Sequence, residues 1–461
     1  MRNYRWNRRA ITLAMVGSIS ITGAAFSASA QDLTYTANPP RAFVKSNGVA
    51  PNGIPACATN DPTSPTPGII YCYTPGFIYT AYNILPVLQS GNFGQGQTIV
   101  IIDAFGSPTI AQDLATFHQV FFGSSFPAPD FQVICAAGCP NVNLKNKPQD
   151  EAGWTFETTL DVEWAHAIAP LAKIRLIVAP DPHGDSINLA IRYAVDHYPG
   201  SIVSQSFGTP EASFKGNNSH FKQAHQTYVD AVANGMTLLA SSGDFGATNG
   251  NFSVANASYP ASDPLVTGVG GTQGLPEGNL VLLAGQCAPP STSSCTPVAY
   301  GAEAVWNEAF IASAGGGAVS TIFAPPSWQS ALGFSGRAVP DVAYNAAVDG
   351  GVLIYYSAEG PAAAGFYIIG GTSAGSPQWA GIFALANTAR AAASKGSIGF
   401  ANAAIYAIAQ GANYAVDFHD ITAGNNILSG STVGFAAHAG YDLATGWGTP
   451  NVANLVSDLA R

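Results

Sequence analysis

From about Gln97 onward the chain alternates between two textures. Short, largely apolar runs, three of them closed by a polar residue, recur at Thr98–Asp103, Ile174–Val178, Ser201–Ser206, Thr237–Ser241 and Leu265–Val269. Runs of this length predict strands buried on both faces, as in a parallel sheet. Helical stretches lie among them: Trp154–Ala169, Ile187–Asp196 and Ser219–Asn234. Strands alternating with helices predict an α/β fold, a mostly parallel β-sheet flanked by helices on both faces. Residues 76–461 read as one large domain, with Gln286–Thr296 as a surface excursion.

Upstream the pattern changes. Residues 31–75 are rich in Pro, Asn, Thr and Ser, show little periodicity, and read as an N-terminal arm or short pro-segment. Before them, Arg2, Arg5, Arg8 and Arg9 precede a small, apolar run from Ala10 to Phe26, then Ala28-Ser29-Ala30. That is the order of a secretory signal peptide, residues 1–30. The alternative is a membrane anchor, for which the run is short of the roughly 20 residues a span needs. Arg8-Arg9 also resembles a twin-arginine export signal. The expectation is a secreted protein, extracellular or periplasmic, free of the membrane once the signal is removed.

Composition narrows the function classes. The 461 residues are 47% hydrophobic and only 10% charged, too apolar for a disordered chain. Net charge is −10, and losing four Arg with the signal leaves 13 basic residues against 27 acidic ones, a charge of −14. No basic stripe offers itself to nucleic acid. The six cysteines fall in local pairs, Cys57 with Cys72, Cys135 with Cys139 and Cys287 with Cys295. An even number in an exported chain predicts disulfides, here three local loops.

Candidate chemistry begins at a serine. The apolar run Phe366–Ile369 leads through Gly370-Gly371-Thr372-Ser373-Ala374-Gly375-Ser376-Pro377 into a helical pattern at Gln378–Asn387. A serine on such a turn sits where free helix N–H groups favour a developing oxyanion, although Ser and Thr are also ordinary helix caps. Gly371 to Gly375 matches the G-x-S-x-G elbow of esterases, with Asp420 and His438 available downstream for a triad. Pro377, four residues after Ser373, instead suits a subtilisin-like site, for which Asp103 and His183 stand in the right order. His183 follows Pro-Asp-Pro and reads as a loop residue, which argues against that role.

Two acids add a third possibility. Glu157 and Asp161 are four apart in a helical stretch and share a face with Trp164 and Ile168. Two like charges against an apolar wall are costly unless they share a proton. From spacing alone, a solvated acidic pair is the alternative.

The motifs taken together resemble the sedolisins, serine-carboxyl peptidases with a subtilisin-like fold and a Ser-Glu-Asp triad. The resemblance is carried by Glu157-Thr-Thr-Leu-Asp161, Ser204-Gln205-Ser206-Phe207-Gly208, Ser241-Ser242-Gly243-Asp244-Phe245-Gly246 and Tyr259-Pro260-Ala261-Ser262-Asp263-Pro264. It continues through Val269-Gly270-Gly271-Thr272, Arg337-Ala338-Val339-Pro340-Asp341, Gly371-Thr372-Ser373, Asp420-Ile421 and Gly440-Tyr441-Asp442. The set runs in order from about residue 78 to the C-terminus.

The resemblance implies Ser373 as nucleophile, Glu157 as base and then acid, Asp161 as the acid that orients it, and Asp244 as an oxyanion-hole donor. A carboxylate base titrates far below a histidine, so such a site would work in acid. It also implies one structural calcium on the Asp420 and Asp442 carboxylates and the Ile421, His438 and Gly440 carbonyls, oxygen ligands that suit a hard cation. The usual glycine is replaced at His438. Residues 31–75 are shorter than the prodomains usual in the family. Asp103 reads as a strand-end acid that supports the site. The expected protein is a secreted serine endopeptidase acting on protein or peptide substrates as a monomer. The rivals are an esterase using Ser373, Asp420 and His438, and a catalytically silent, calcium-stabilised binding protein.

Overall fold

The run at Thr98–Ala104 forms the middle of an eight-stranded sheet, with every residue after Thr98 buried. The computed structural model describes residues 36–37, 43–45, 58–60 and 69–461, except 141, 143, 145–148, 215–218, 251–252, 276–279 and 285–295. The expected signal peptide, Cys57, Cys287 and Cys295 lie outside the described residues. Cys135 and Cys139 form a disulfide with Cα atoms 4.9 Å apart, and Cys72 is also disulfide-bonded.

Across the sheet the order is Glu303–Val305, Thr267–Gly274, Thr237–Ser241, Ile202–Gln205, Thr98–Ala104, Lys173–Ala179 and Phe131–Cys135; Val342–Asn345 also pairs with Thr267–Gly274. All these pairs are parallel except the one to Glu303–Val305. The chain leaves Thr98–Ala104 toward one edge, returns, and then builds the other side. In open α/β sheets such a reversal leaves a crevice at the carboxyl ends of the strands. Asp103 stands at one of those ends, level with Val178.

The strand expected at Leu265–Val269 is found at Thr267–Gly274. Its glycines hid it, and they are there for close approach. A Cβ on Gly270 would lie 2.7 Å from Pro340, and one on Gly271 would lie 2.9 Å from Ala346.

A second, five-stranded sheet runs Phe43–Lys45, Gly365–Ile369, Gly351–Tyr356, Ile69–Tyr73 and Ala58–Asn60. One segment of residues 31–75, Phe43–Lys45, therefore pairs with the strand that leads to Ser373, with Phe43 opposite Ile369 and Lys45 opposite Tyr367.

The helix expected at Trp154–Ala169 spans Gln149–Ile168, and from Trp154 onward every position is buried. Periodicity could not show this, because the helix has no solvent face. It packs against the Gly375–Ala392 helix, the strand Thr98–Ala104 and the strand Gly351–Tyr356. Gly381 permits the helix contact, since a Cβ there would come within 2.5 Å of Ile168. On the other side Trp164 donates its Nε1–H to the Leu353 carbonyl at 2.9 Å, and Phe156 stacks on Tyr356 at 3.8 Å. No helix among the described residues is long and apolar enough to cross a membrane.

Candidate active site

Ser373 lies in a single 3-10 turn, Thr372–Ala374, between the strand Gly365–Ile369 and the helix Gly375–Ala392. Gly371 precedes it with φ of 116°, a conformation that side chains rarely adopt. The turn thus drops the chain from one sheet to the start of a helix and fixes Ser373 at its N-terminal end. Ser373 has no exposed surface.

Three elements bring acids to it. The buried helix supplies Glu157 and Asp161, one turn apart. Burial raises the Glu157 carboxyl well above its ordinary range, the charges of Asp161 and Asp103 raise it further, and the facing Ser373 hydroxyl offsets part of the rise. Asp161 is raised by burial and by Asp103, and is partly offset by Ser206. Such a group of acids holds protons in common, because desolvation and mutual repulsion both disfavour full ionisation.

Asp103 adds a third acid at the end of the central strand. Burial pushes its carboxyl up to about 7, Thr158 lowers it somewhat, and neither oxygen has a hydrogen bond of ordinary geometry.

Asp244 arrives from the turn after Thr237–Ser241. Its Oδ1 accepts from the Thr372 N–H at 2.9 Å and from the Thr372 hydroxyl at 2.8 Å. Its Oδ2 is buried and has no partner. Burial raises this carboxyl to about 6, against the opposing effect of Thr372. One oxygen is anchored beside Ser373, and the other is left unbonded.

Two site residues were not assigned roles from sequence. Ser206 donates to Asp161 Oδ1 at 2.7 Å and reaches the Ser373 carbonyl at 3.3 Å, while the Ser373 hydroxyl donates to the Ser206 carbonyl at 3.3 Å. Thr372 ties Asp244 to the serine turn, and its hydroxyl also accepts from the Gly243 N–H at 3.1 Å. Both stand inside the quoted motifs, but only the meeting of separate strands gives them a task.

The esterase arrangement is not assembled. Asp420 and His438 are exposed while Ser373 is buried, and their hydrogen bonds to Gly440, Ala439 and Asp442 do not reach it. His183 is a correction of a different kind. It stands at the N-cap position of the helix Gly184–His197, without a side-chain cap, instead of lying in a plain loop, because the apolar pattern at Ile187 conceals the first helical turn. Its Nδ1 lies 3.5 Å from the Thr36 hydroxyl, and none of its hydrogen bonds involves Ser373.

Of the residues expected to hold a metal, Asp420 bonds Gly440, its Oδ2 accepting from the N–H at 3.0 Å, and Asp442 bonds His438, its Oδ2 accepting from the N–H at 3.1 Å. Asp442 Oδ1 accepts from Ala444, Thr445 and the Thr445 hydroxyl. No group of three or more His, Cys, Asp or Glu side chains suited to a metal is found among the described residues, and this loop offers two carboxylates. Its remaining donors would be backbone carbonyls. Oxygen-only donors with two carboxylates fit calcium in kind.

A mostly parallel sheet with a serine at a helix N-terminus and buried acids beside it is the arrangement of a subtilisin-like fold. The profile described as the subtilase family, peptidase S8, matches residues 152–403. The chain belongs to that family and, within it, to the sedolisins. It is 33% identical to kumamolisin of Bacillus sp. (strain MN-32) over 389 residues, which is 80% of this chain and 62% of that protein. It is 28% identical to sedolisin of Pseudomonas sp. (strain 101), covering 78% of this chain and 57% of that protein. The chain thus spans about three-fifths of the length of these relatives. The solved structure of Pseudomonas sedolisin, a serine-carboxyl proteinase complexed with two molecules of pseudo-iodotyrostatin, superposes with a TM-score of 0.68 at 27% identity, covering 85% of this chain and 98% of that one.

Proposed function

We propose that this chain is an acid-acting serine-carboxyl peptidase that cleaves peptide bonds through an acyl-enzyme on Ser373. The observation that carries the reading is the convergence of Ser373, the Glu157–Asp161 pair and an Asp244 whose outer oxygen is unpartnered. The kinship with kumamolisin and sedolisin supports it.

In this reading Glu157 takes the Ser373 proton as the hydroxyl attacks the substrate carbonyl. The electron pair moves onto the carbonyl oxygen. Protonated Asp244 donates through Oδ2 to that oxyanion, together with the Ser373 backbone N–H. Glu157 returns the proton to the leaving amine, and the same groups then activate water to release the acid. Asp161, held by Ser206, orients Glu157 and shares its proton, and Asp103 adds to the field that keeps a proton in the cluster. Asp244 donates only while protonated, so activity would fall as pH rises past about 6.

The Asp420–Asp442 loop would hold one calcium, which would tie the C-terminal segment down. Export, a domain spanning residues 76–461 and action as a monomer complete the proposal. The test is hydrolysis of an unfolded protein near pH 4 by wild type and by Ser373→Ala. Activity confined to wild type and lost above neutral pH is expected. An unchanged rate in Ser373→Ala, or a rate rising toward pH 8, would overturn the reading.

A further inference from the structure

Glu157 and His166 stand about two and a half turns apart on one helix, so their side chains leave it on opposite faces. On the face away from Ser373, His166 meets His118 of the helix Ile110–Phe121, with His118 Nδ1 at 3.0 Å from His166 Nε2. His166 has no exposed surface, and His118 is 7% exposed. Their cover is thin. Phe122 stacks on the His118 ring at 5.4 Å and lies 4.9 Å from the His166 ring, and Phe126 lies 6.3 Å from His118. Both phenylalanines follow the helix in a short loop and are only partly buried.

The bonds assign the protons. His118 also donates to the Phe126 carbonyl, and since its Nδ1 faces His166, the donor is Nε2–H. Nδ1 is then an acceptor and takes the His166 Nε2–H, which leaves His166 Nδ1 without a proton. That nitrogen is buried and has no partner. A first added proton settles on His118 Nδ1, and the His166 proton moves to its own Nδ1, where no acceptor waits. A second sets N–H against N–H across the 3.0 Å gap, with two like charges in contact.

Burial, with the charge of His118 adding to it, lowers His166 to about 3. Burial lowers His118 as well, and the Phe126 bond offsets part of the fall. Among the described residues no carboxylate pairs with either ring. On the elements packed around them, Asp113 accepts from Thr109 and Ser357, Glu163 accepts from the Tyr355 N–H, and Asp130 pairs with Arg175. Tyr79 donates to the Ala167 carbonyl.

We propose that the His118–His166 pair is an acid-operated latch between the two helices. It stays closed with one added proton at most, and the second releases it, opening the loop at Phe122–Phe126 and the end of the helix before it. Unfolded histidines take up protons near the ordinary 6.5, and the closed pair resists. Opening is therefore favoured as pH falls from 6.5 toward 3, by about tenfold per pH unit for each proton taken up. The acids around Ser373 act in the opposite sense, since the native state holds protons that they lose on unfolding. Only a local measurement separates the two contributions. The latch gives the fold a lower pH limit that is set away from Ser373.

Hydrogen exchange of residues 114–126, followed by mass spectrometry between about pH 3.5 and 6.5 and corrected for the intrinsic rate at each pH, tests the latch. The full chain carries Ser373→Ala, which keeps self-digestion out of the measurement. Opening in that chain should rise at least about tenfold across the range. Replacing the pair by His118→Phe with His166→Leu should leave opening flat, at whatever level the repacked contact sets. Opening that ignores pH in the parent, or that rises equally in the double variant, overturns the proposal. If the double variant does not fold, the parent decides. Exchange of the His166 ring C2 proton should show no inflection above about pH 5, and an inflection near the ordinary value of about 6.5 overturns the latch.

Discussion

Two sets of buried acids, Glu303 with Asp341 and the cluster around Ser373, are treated in opposite ways. Glu303 accepts from four hydroxyls, those of Tyr82 and Thr272 on one oxygen and of Tyr300 and Thr449 on the other. Asp341 accepts from both terminal guanidinium nitrogens of Arg337, the Tyr406 hydroxyl and the Gly268 N–H. Around Ser373 the accounting is incomplete: Glu157 Oε1, Asp161 Oδ2, Asp244 Oδ2 and both Asp103 oxygens have no hydrogen bond of ordinary geometry. An unsatisfied buried polar atom costs about 1–3 kcal/mol. Where the fold needs an acid only as a fixed joint, it supplies the donors. Where it leaves them out, the atoms remain available to bond something that arrives later.

The largest effect expected from this contrast comes from removing one acid of each kind. Glu157→Gln should lower kcat by about 10⁴-fold or more, as loss of a triad member does, with the melting temperature kept or raised at neutral pH. Glu303→Gln should do the opposite. It places an amide donor among hydroxyls that already donate, so stability should fall by about 1–3 kcal/mol while the rate per folded molecule at pH 4 stays near wild type. Kinetics paired with thermal melts checks both. Loss of folding in the first and loss of turnover in the second would break the contrast.

Asp244 sharpens it. Losing one oxyanion donor costs about 10²–10³ in kcat, so Asp244→Ala should fall in that range. Asp244→Asn keeps a donor that cannot ionise and should retain more activity at pH 4. If the two are equally inactive with native circular dichroism, Asp244 carries a proton instead of donating to the oxyanion.

How much of this was legible in the sequence differs between the two sets. Glu157, Asp161, Asp244 and Ser373 could be named because each sits in a short motif. The strand at Thr237–Ser241 and the helix at Ser219–Ala233 followed from pattern. Glu303 drew no attention, because its donors come from residues 82, 272, 300 and 449, which only the fold brings together. Ser206 and Thr372 were invisible for the same reason. The strand with Gly268, Gly270, Gly271 and Gly274 was misplaced by two residues at its start, since close backbone packing had replaced the apolar side chains that signal a strand.

A smaller effect follows from pH. Asp244 is raised to about 6 and Asp103 to about 7 from an ordinary value of 3.8. Between roughly pH 4 and 7 the native state therefore holds more protons than the unfolded one, and stability falls as pH rises through that window. Each unit of separation is worth about 1.4 kcal/mol once both states are ionised. Calorimetry should give a lower melting temperature at pH 7.5 than at pH 4, and Asp103→Asn should flatten the difference. A melting temperature that climbs toward neutral pH would mean the orphaned oxygens find partners in solution.

The smallest effect concerns the C-terminal loop, whose acids are bonded to their own backbone. Ligand binding to the native state alone stabilises by mass action, about 2.7 kcal/mol at a hundred times Kd. A calcium chelator should lower the melting temperature of wild type and leave Asp442→Ala where the mutation has already put it. Equal chelator shifts in both would remove the calcium assignment.

The helix that carries Glu157 and Asp161 is covered on all sides from Trp154 to Ile168. A surface helix has a tolerant side, along which substitutions accumulate without consequence. This one has none: each side chain is pressed against a neighbour, and even Glu163 is committed, accepting the Tyr355 N–H at 2.9 Å. Randomising it position by position should yield almost no neutral substitutions, whereas the exposed positions of the Gly184–His197 helix should accept many. Divergence within this chain's lineage would then have to be absorbed elsewhere, in surface helices and excursions, while the segment beneath the serine stays nearly unchanged as a block.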